Sequence, residues 1–143
     1  MTPLLFVDSW GWLVLANQSD PAFVRVKTLH EQSLKSGLKP VTTNFVLDEV
    51  ITFLYAKAPV ELAEKYLGGL KISIQKGFVL LEQIDPERFE TAWKLRVKYR
   101  DHPRISFTDI TSFVVMRELK IKQVLTNDHH FEQVNMGFER CPT

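Results

Sequence analysis

The chain has 143 residues, of which 45% are hydrophobic and 24% charged, and this is enough for one domain with a buried core, expected over residues 1–143. Its formal net charge of +1 excludes a uniformly basic surface, so a polyanion would have to bind a local patch. The single cysteine, Cys141, excludes an internal disulfide, which fits a reducing compartment, so we expect a cytoplasmic protein. No apolar stretch reaches the roughly 18 residues of a membrane span, so we expect no membrane segment.

Predicted strands and helices alternate along the chain. Strands are predicted over residues 3–7, 39–43, 78–84, 123–126 and 137–140. Helices are predicted over residues 9–16, 21–36, 45–57, 59–73, 86–99 and from 107 to about 120. Strict alternation of this kind predicts an α/β fold in which helices cover a mainly parallel sheet.

Local signals set several of the predicted helix boundaries and faces. Asn44 is expected to cap the third helix, and Gly68 with Gly69 to weaken or kink the fourth. Trp93 is expected on the buried stripe of the fifth helix. That stripe is predicted to contain Phe89, Ala92, Trp93 and Val97.

Two acids directly follow predicted strands. Asp8 ends the first strand, and Asp128 ends the fourth strand after Thr126 and Asn127. In a parallel sheet the carboxyl ends of the strands lie at one edge, where ligands bind in open α/β folds. Taken alone, Asp128 is also an ordinary turn residue.

Two further acids fall on apolar helix faces. Asp109 shares a helix face with Phe113 and Met116, although a carboxylate in the first turn after Ser106 would also serve the helix N-terminus. Glu49 lies four residues from both Phe45 and Phe53, so it is predicted to point inward, whereas its neighbour Asp48 falls on the polar side. The alternative for Glu49 is a packed stem with its carboxylate in water.

Four acids converging on one edge would repel one another and lose hydration, and a divalent cation would offset that cost. Oxygen ligands suit Mg²⁺ or Mn²⁺, and no cysteine and histidine spacing here matches a zinc site. Because Mg²⁺ leaves room for phosphate oxygens and water, the chemistry indicated is metal-assisted phosphoester hydrolysis.

Four segments together resemble the PIN-domain family, and more narrowly the VapC-type toxin ribonucleases of toxin–antitoxin pairs. The segments are residues 5–9, 43–50, 106–109 and 125–131. The resemblance implies a three-layer α/β/α sandwich with a five-stranded sheet of order 3-2-1-4-5, and a Mg²⁺-dependent endoribonuclease. The acids that match the family's catalytic and metal-binding positions are Asp8, Glu49, Asp109 and Asp128. The matching hydroxyls, expected to orient a ligand or water, are Ser9 and Thr126.

The resemblance also implies partners: an RNA substrate, a cognate antitoxin protein that blocks the acidic cleft, and a second copy of the chain. Trp12 and Phe23 are the candidate exposed apolar residues for a homodimer. A basic, aromatic-containing stretch before the third acid is a candidate RNA path, and its alternative is a solvated helix face with Trp93 in the core. Its cations are Lys94, Arg96, Lys98, Arg100 and Arg104.

Three questions stay open from the sequence. His129 and His130 are interpreted as turn residues or substrate contacts rather than as a general base. A phosphotransferase or phosphoacceptor domain also carries an acid after its first strand, but it would need an Asp-x-Asp motif or an acid pair with a later lysine, and Asp8-Ser9-Trp10 provides neither. A PIN-like RNA-binding scaffold without catalysis would be expected to lack some of the four acids.

Overall fold

In the computed structural model, which describes residues 2–141, the chain forms five strands and seven helices. The strands are β1 (Leu4–Val7), β2 (Lys39–Thr43), β3 (Leu80–Glu82), β4 (Gln123–Leu125) and β5 (Glu139–Cys141). The helices are α1 (Ser9–Leu15), α2 (Phe23–Lys35), α3 (Asn44–Lys57), α4 (Val60–Gln75), α5 (Pro86–Lys98), α6 (Phe107–Glu118) and α7 (His130–Gln133).

The strands form one sheet in the order β3-β2-β1-β4-β5, and each neighbouring pair is parallel. This confirms the predicted α/β class and the predicted strand order. The order also separates the chain from receiver-type domains, whose sheets run 2-1-3-4-5. Central β1 is paired on both sides and contributes the buried Leu5, Phe6 and Val7, which explains its unbroken apolar sequence.

Cap residues explain where several helices begin. Ser106 accepts a hydrogen bond from Asp109 N at 3.0 Å, and Asp85 accepts one from Arg88 N at 2.8 Å, as their sequence positions predict. The prediction for Asn44 was wrong, because Thr43 caps α3 by accepting from Val46 N. The Asn44 side chain instead accepts from Ile84 N at 2.7 Å and so ties α3 to the segment after β3.

The bounds of β2 match the prediction, and α3 begins one residue earlier than predicted, at Asn44. The remaining differences have local causes. Helix α4 continues through Gly68 and Gly69, because buried Ala63 and Leu70 anchor it on either side and offset the low helix propensity of glycine. Strand β3 is shorter than predicted, since Phe78 lies 65% exposed before it. The four-residue helix α7 was not predicted.

The burial of two tryptophans is the reverse of what the sequence predicted. Trp12 is 3% exposed and its indole N–H donates to Thr42 Oγ1 at 3.2 Å, so the prediction that it is an exposed dimer contact was wrong. Trp93 is 57% exposed, so its predicted place in the core was also wrong. Helix α5 buries Ala92 and Leu95 instead, because its apolar residues spread over more than one face and these two point inward.

Among the described residues, no helix is both long enough and apolar enough to cross a bilayer.

Helix α1 lies close against the sheet. A Cβ atom on Gly11 would meet Val7 Cγ1 at 2.9 Å and Leu125 Cγ at 3.0 Å. Only glycine therefore permits α1 to pack at this distance from β1 and β4.

We expect Gly11→Ala to destabilise the protein by roughly 1–3 kcal/mol, because the added methyl overpacks stiff, buried side chains. The matched control is Gly68→Ala, since Gly68 is exposed in a helix and has no atom near its Cβ position. That change should stabilise by about 0.5–1 kcal/mol through helix propensity. Urea unfolding of both variants measures the difference, and equal effects would contradict the close packing at Gly11.

Candidate active site

The four predicted acids come from four elements that meet at the carboxyl edge of the sheet. Asp8 directly follows β1, and Asp128 lies three residues after β4, which pairs with β1. Asp109 lies in the first turn of α6, and Glu49 lies in α3. The exposed Asp48 points away, as predicted from the helix phase.

The predicted hydroxyls link these acids. Thr126 Oγ1 donates to Asp8 Oδ2 at 2.8 Å and accepts from Asp128 N at 3.0 Å. Ser9 Oγ donates to Glu49 Oε1 at 2.8 Å and lies 3.5 Å from Asp8 Oδ1. Thr126 therefore holds one oxygen of Asp8, and Ser9 places Glu49 beside the other oxygen.

Asp8 is almost completely buried, with 4% of its surface exposed. Burial raises its pKa to about 6, and the charges of Glu49 and Asp128 act in the same direction. The hydrogen bond from Thr126 opposes the shift by stabilising the carboxylate. Asp8 therefore takes up a proton at a higher pH than an exposed aspartate does.

The pKa of Asp109 is raised further than the pKa of Asp8. Burial, together with the charges of Asp8 and Asp128, raises its pKa to about 9. The hydroxyl of Ser106 already caps α6. Among the described residues, the Asp109 carboxylate accepts no hydrogen bond from the helix N-terminus, so capping does not explain why an acid stands here.

His130 is part of this cluster although the sequence did not indicate it. Its ring nitrogen Nδ1 lies 3.0 Å from Asp128 Oδ1, without the alignment of a hydrogen bond, and its backbone N–H donates to the same oxygen at 2.9 Å. Buried Phe131 and the first turn of α7 fix this position, whereas His129 is exposed. His130 was missed because the short helix α7, which positions its ring beside Asp128, was not predicted from the sequence.

The donor atoms of Asp109, Asp128 and His130 lie within 4.8 Å of one another and could hold one metal ion. Asp8 is near enough for its charge to act on both aspartates. Carboxylate oxygens suit a hard divalent cation, and the cation would relieve the repulsion that raises the pKa of Asp109. The residues present therefore fit a divalent metal.

The cations of the basic stretch around the end of α5 differ in their surroundings. Arg96 differs from the expectation, since its half-buried guanidinium donates to the carbonyls of Tyr99, His102 and Ile105 and so braces the loop between α5 and α6. The other predicted cations are exposed and remain available to a polyanion. They are Lys94, Lys98, Arg100 and Arg104.

Comparison with known proteins decides the family. The PIN domain model matches residues 6–136. The chain belongs to the PIN-domain family. This PIN domain is 30% identical over 130 residues to the 23S rRNA-specific endonuclease VapC20 from two strains of Mycobacterium tuberculosis, with 90% of the chain and 92% of the relative covered. The resemblance to VapC-type toxins read from the motifs is thereby confirmed.

Solved structures agree with the fold of this PIN domain. The crystal structure of Mycobacterium tuberculosis VapC20, described as a toxin that cleaves the sarcin-ricin loop, matches with a TM-score of 0.77 and 28% identity, covering 94% of this chain and 96% of that one. VapBC2 from Rickettsia felis, solved with a promoter DNA fragment, matches with a TM-score of 0.67 at 14% identity, covering 96% and 98%. The second match supports the fold alone.

The raised pKa of Asp109 predicts a pH-dependent effect of Asp109→Asn on metal-free stability. Between the ordinary aspartate pKa of 3.8 and the raised pKa of about 9, the folded protein holds a proton that the unfolded chain releases, so stability falls as pH rises. The uncharged variant avoids this loss. Thermal melting in chelator should show similar stability near pH 4 and a gap that grows by at most about 1.4 kcal/mol for each pH unit.

Asp48→Asn is the control for this experiment, since Asp48 is exposed and lies outside the cluster. It should follow the wild type at every pH. Added Mg²⁺ should stabilise the wild type by mass action and Asp109→Asn much less. Parallel melting curves for Asp109→Asn and the wild type would contradict a charge-crowded site.

Proposed function

We propose that this PIN domain is a divalent-metal-dependent endoribonuclease, the toxin of a toxin–antitoxin pair. Asp8, Glu49, Asp109 and Asp128 are its proposed catalytic and metal-binding acids. The observation that carries the proposal is the convergence of these acids at one sheet edge, held there by the hydroxyls of Ser9 and Thr126. A non-catalytic scaffold would have no need to maintain such crowded charge.

The residues of the chain would divide the work as follows. Asp109 and Asp128, with Asp8 and Glu49 beside them, would hold Mg²⁺ or Mn²⁺, and Thr126 and Ser9 would keep the carboxylates oriented. A bound divalent cation supplies Lewis-acid activation for phosphodiester hydrolysis. Because Asp109 is protonated at neutral pH without a cation, metal binding would release protons.

The proposed substrate is ribosomal RNA, on the strength of the relatives. VapC20 is described as specific for 23S rRNA and as cleaving the sarcin-ricin loop, and the chain covers almost all of its length. The exposed cations Lys94, Lys98, Arg100 and Arg104 could bind phosphates of the RNA. We propose a structured RNA loop as the target.

The proposed protein partners are an antitoxin that covers the acid edge and a second copy of the chain. The antitoxin follows from membership in the VapC-type toxins. The homodimer stays a prediction, and its contacts would have to come from exposed apolar side chains such as Val24 of α2, because Trp12 is buried. Phe23 is partly buried against the core.

A pair of adjacent acids on α3 tests the site. Glu49→Gln should lower RNA cleavage by at least about 100-fold, since it removes a charge from the cluster without changing its shape. Asp48→Asn, on the exposed side of the same helix, should leave cleavage within about twofold of the wild type. The measurement is cleavage of total bacterial RNA, with the cut ends mapped by sequencing.

Chelation of divalent metal should abolish this cleavage, and adding Mg²⁺ or Mn²⁺ separately should identify the preferred ion. Cuts at one ribosomal loop would support the proposed substrate. Cuts spread over many RNAs would reject it while keeping the nuclease. Cleavage that persists fully in chelator, or in Glu49→Gln, would contradict the proposed site.

Expression in bacteria tests the toxin assignment. The wild-type chain should stop growth, and Asp8→Asn should not, because the substitution removes the charge at the centre of the acid cluster. Co-expression of the cognate antitoxin should restore growth. Equal growth inhibition by wild type and by Asp8→Asn, at matched soluble protein levels, would show that toxicity does not come from this site.

A further inference from the structure

Helix α5 carries an exposed apolar stripe that the acid site does not explain. Phe89, Trp93 and Val97 are 38%, 57% and 50% exposed. Because they are spaced four residues apart, they lie in line on one face of the helix. A contiguous aromatic surface in water commonly marks a binding site.

The stripe is connected to the acid edge by ring contacts. The Trp93 ring lies 6.0 Å from that of Phe89, which lies 5.1 Å from Phe107 and 6.2 Å from Phe45, all in edge-to-face geometry. Phe45 lies in the first turn of α3, and Phe107 begins α6 two residues before Asp109. The rings thus form a continuous support from the start of both acid-bearing helices to the exposed indole.

This support prepares Trp93 for stacking. The ring contact with Phe89 restricts the indole, while more than half of the residue's surface stays in water. A flat aromatic partner could therefore stack on Trp93 with little further loss of side-chain entropy. Base–aromatic stacking tolerates any base, because each base has a π-face.

Charge favours a nucleic acid over a protein at this surface. Lys94 adjoins Trp93, and Lys98, Arg100 and Arg104 follow it in exposed positions, so these cations could bind phosphates of a strand whose base stacks on Trp93. A protein partner has a more apolar surface elsewhere. That surface is the groove of about 480 Å³ between α3 and α4, lined mainly by aliphatic side chains.

We propose that Trp93, supported by Phe89, stacks on an unpaired base of the RNA and so holds a single-stranded or loop segment beside the acids. This rests on the proposed function in that RNA is the substrate. Paired RNA buries its base faces and would gain nothing from Trp93. The surface would therefore select unpaired RNA rather than a particular sequence.

Binding without cleavage tests the stacking separately from the nuclease. The full chain with Asp8→Asn is titrated with a fluorescent 12-nucleotide oligoadenylate, and with an abasic ribose-phosphate strand of the same length, using anisotropy. Adding Trp93→Ala should weaken oligoadenylate binding about tenfold. It should leave abasic binding unchanged, while Trp93→Phe should retain most of the affinity and Trp93→Leu should not.

Phe78→Ala is the matched control. Phe78 is 65% exposed but precedes β3, at the opposite edge of the sheet, so its loss should not alter binding. Tryptophan emission should be quenched by oligoadenylate in the Asp8→Asn background and not with Trp93→Phe added. Equal loss of binding to both strands with Trp93→Ala, or no loss to either, would overturn the stacking role.

Two further outcomes distinguish base stacking from a protein contact at the stripe and from the proposed nuclease activity. If Trp93→Ala leaves RNA binding intact but the antitoxin no longer protects cells, the stripe is a protein contact and the stacking proposal is wrong. If ring-dependent RNA binding is found in a chain whose wild type cleaves no RNA, stacking stands and the nuclease proposal fails.

Discussion

Mutual repulsion among the carboxylates at the end of β1 is the constraint on which the rest of the structure depends. Asp8 is nearly buried, and Asp109 has a pKa raised to about 9 by burial and by the charges of its neighbours. Parallel pairing of β1 with β4 brings Asp128 to the same edge. The hydroxyls of Ser9 and Thr126 then fix the acids where charge alone would drive them apart.

The surroundings of this cluster combine rigidity with local access. Close packing of Gly11 on Val7 and Leu125 holds α1 against the sheet directly behind Asp8. Arg88 forms ion pairs with Glu82 and Glu118, and so joins the end of β3 to the end of α6.

Much of this arrangement could be predicted from local sequence, because the informative signals are short-range. Asp85 and Ser106 lie where side-chain caps start helices, and helix phase distinguished the inward Glu49 from the exposed Asp48. Burial depends on tertiary packing and was less predictable. Trp12 and Trp93 exchanged their expected places, since periodicity identifies an apolar face without showing which part of it another element covers.

The bond from Thr126 to Asp8 joins residues separated by 118 positions, almost the whole chain. A nascent chain emerging from the ribosome therefore has no complete acid cluster until β4 has been synthesised and has inserted beside β1. Catalytic competence would therefore depend on a contact between distant parts of the sequence. For a protein that attacks RNA, this topology delays activity until β4 has been synthesised and has paired with β1.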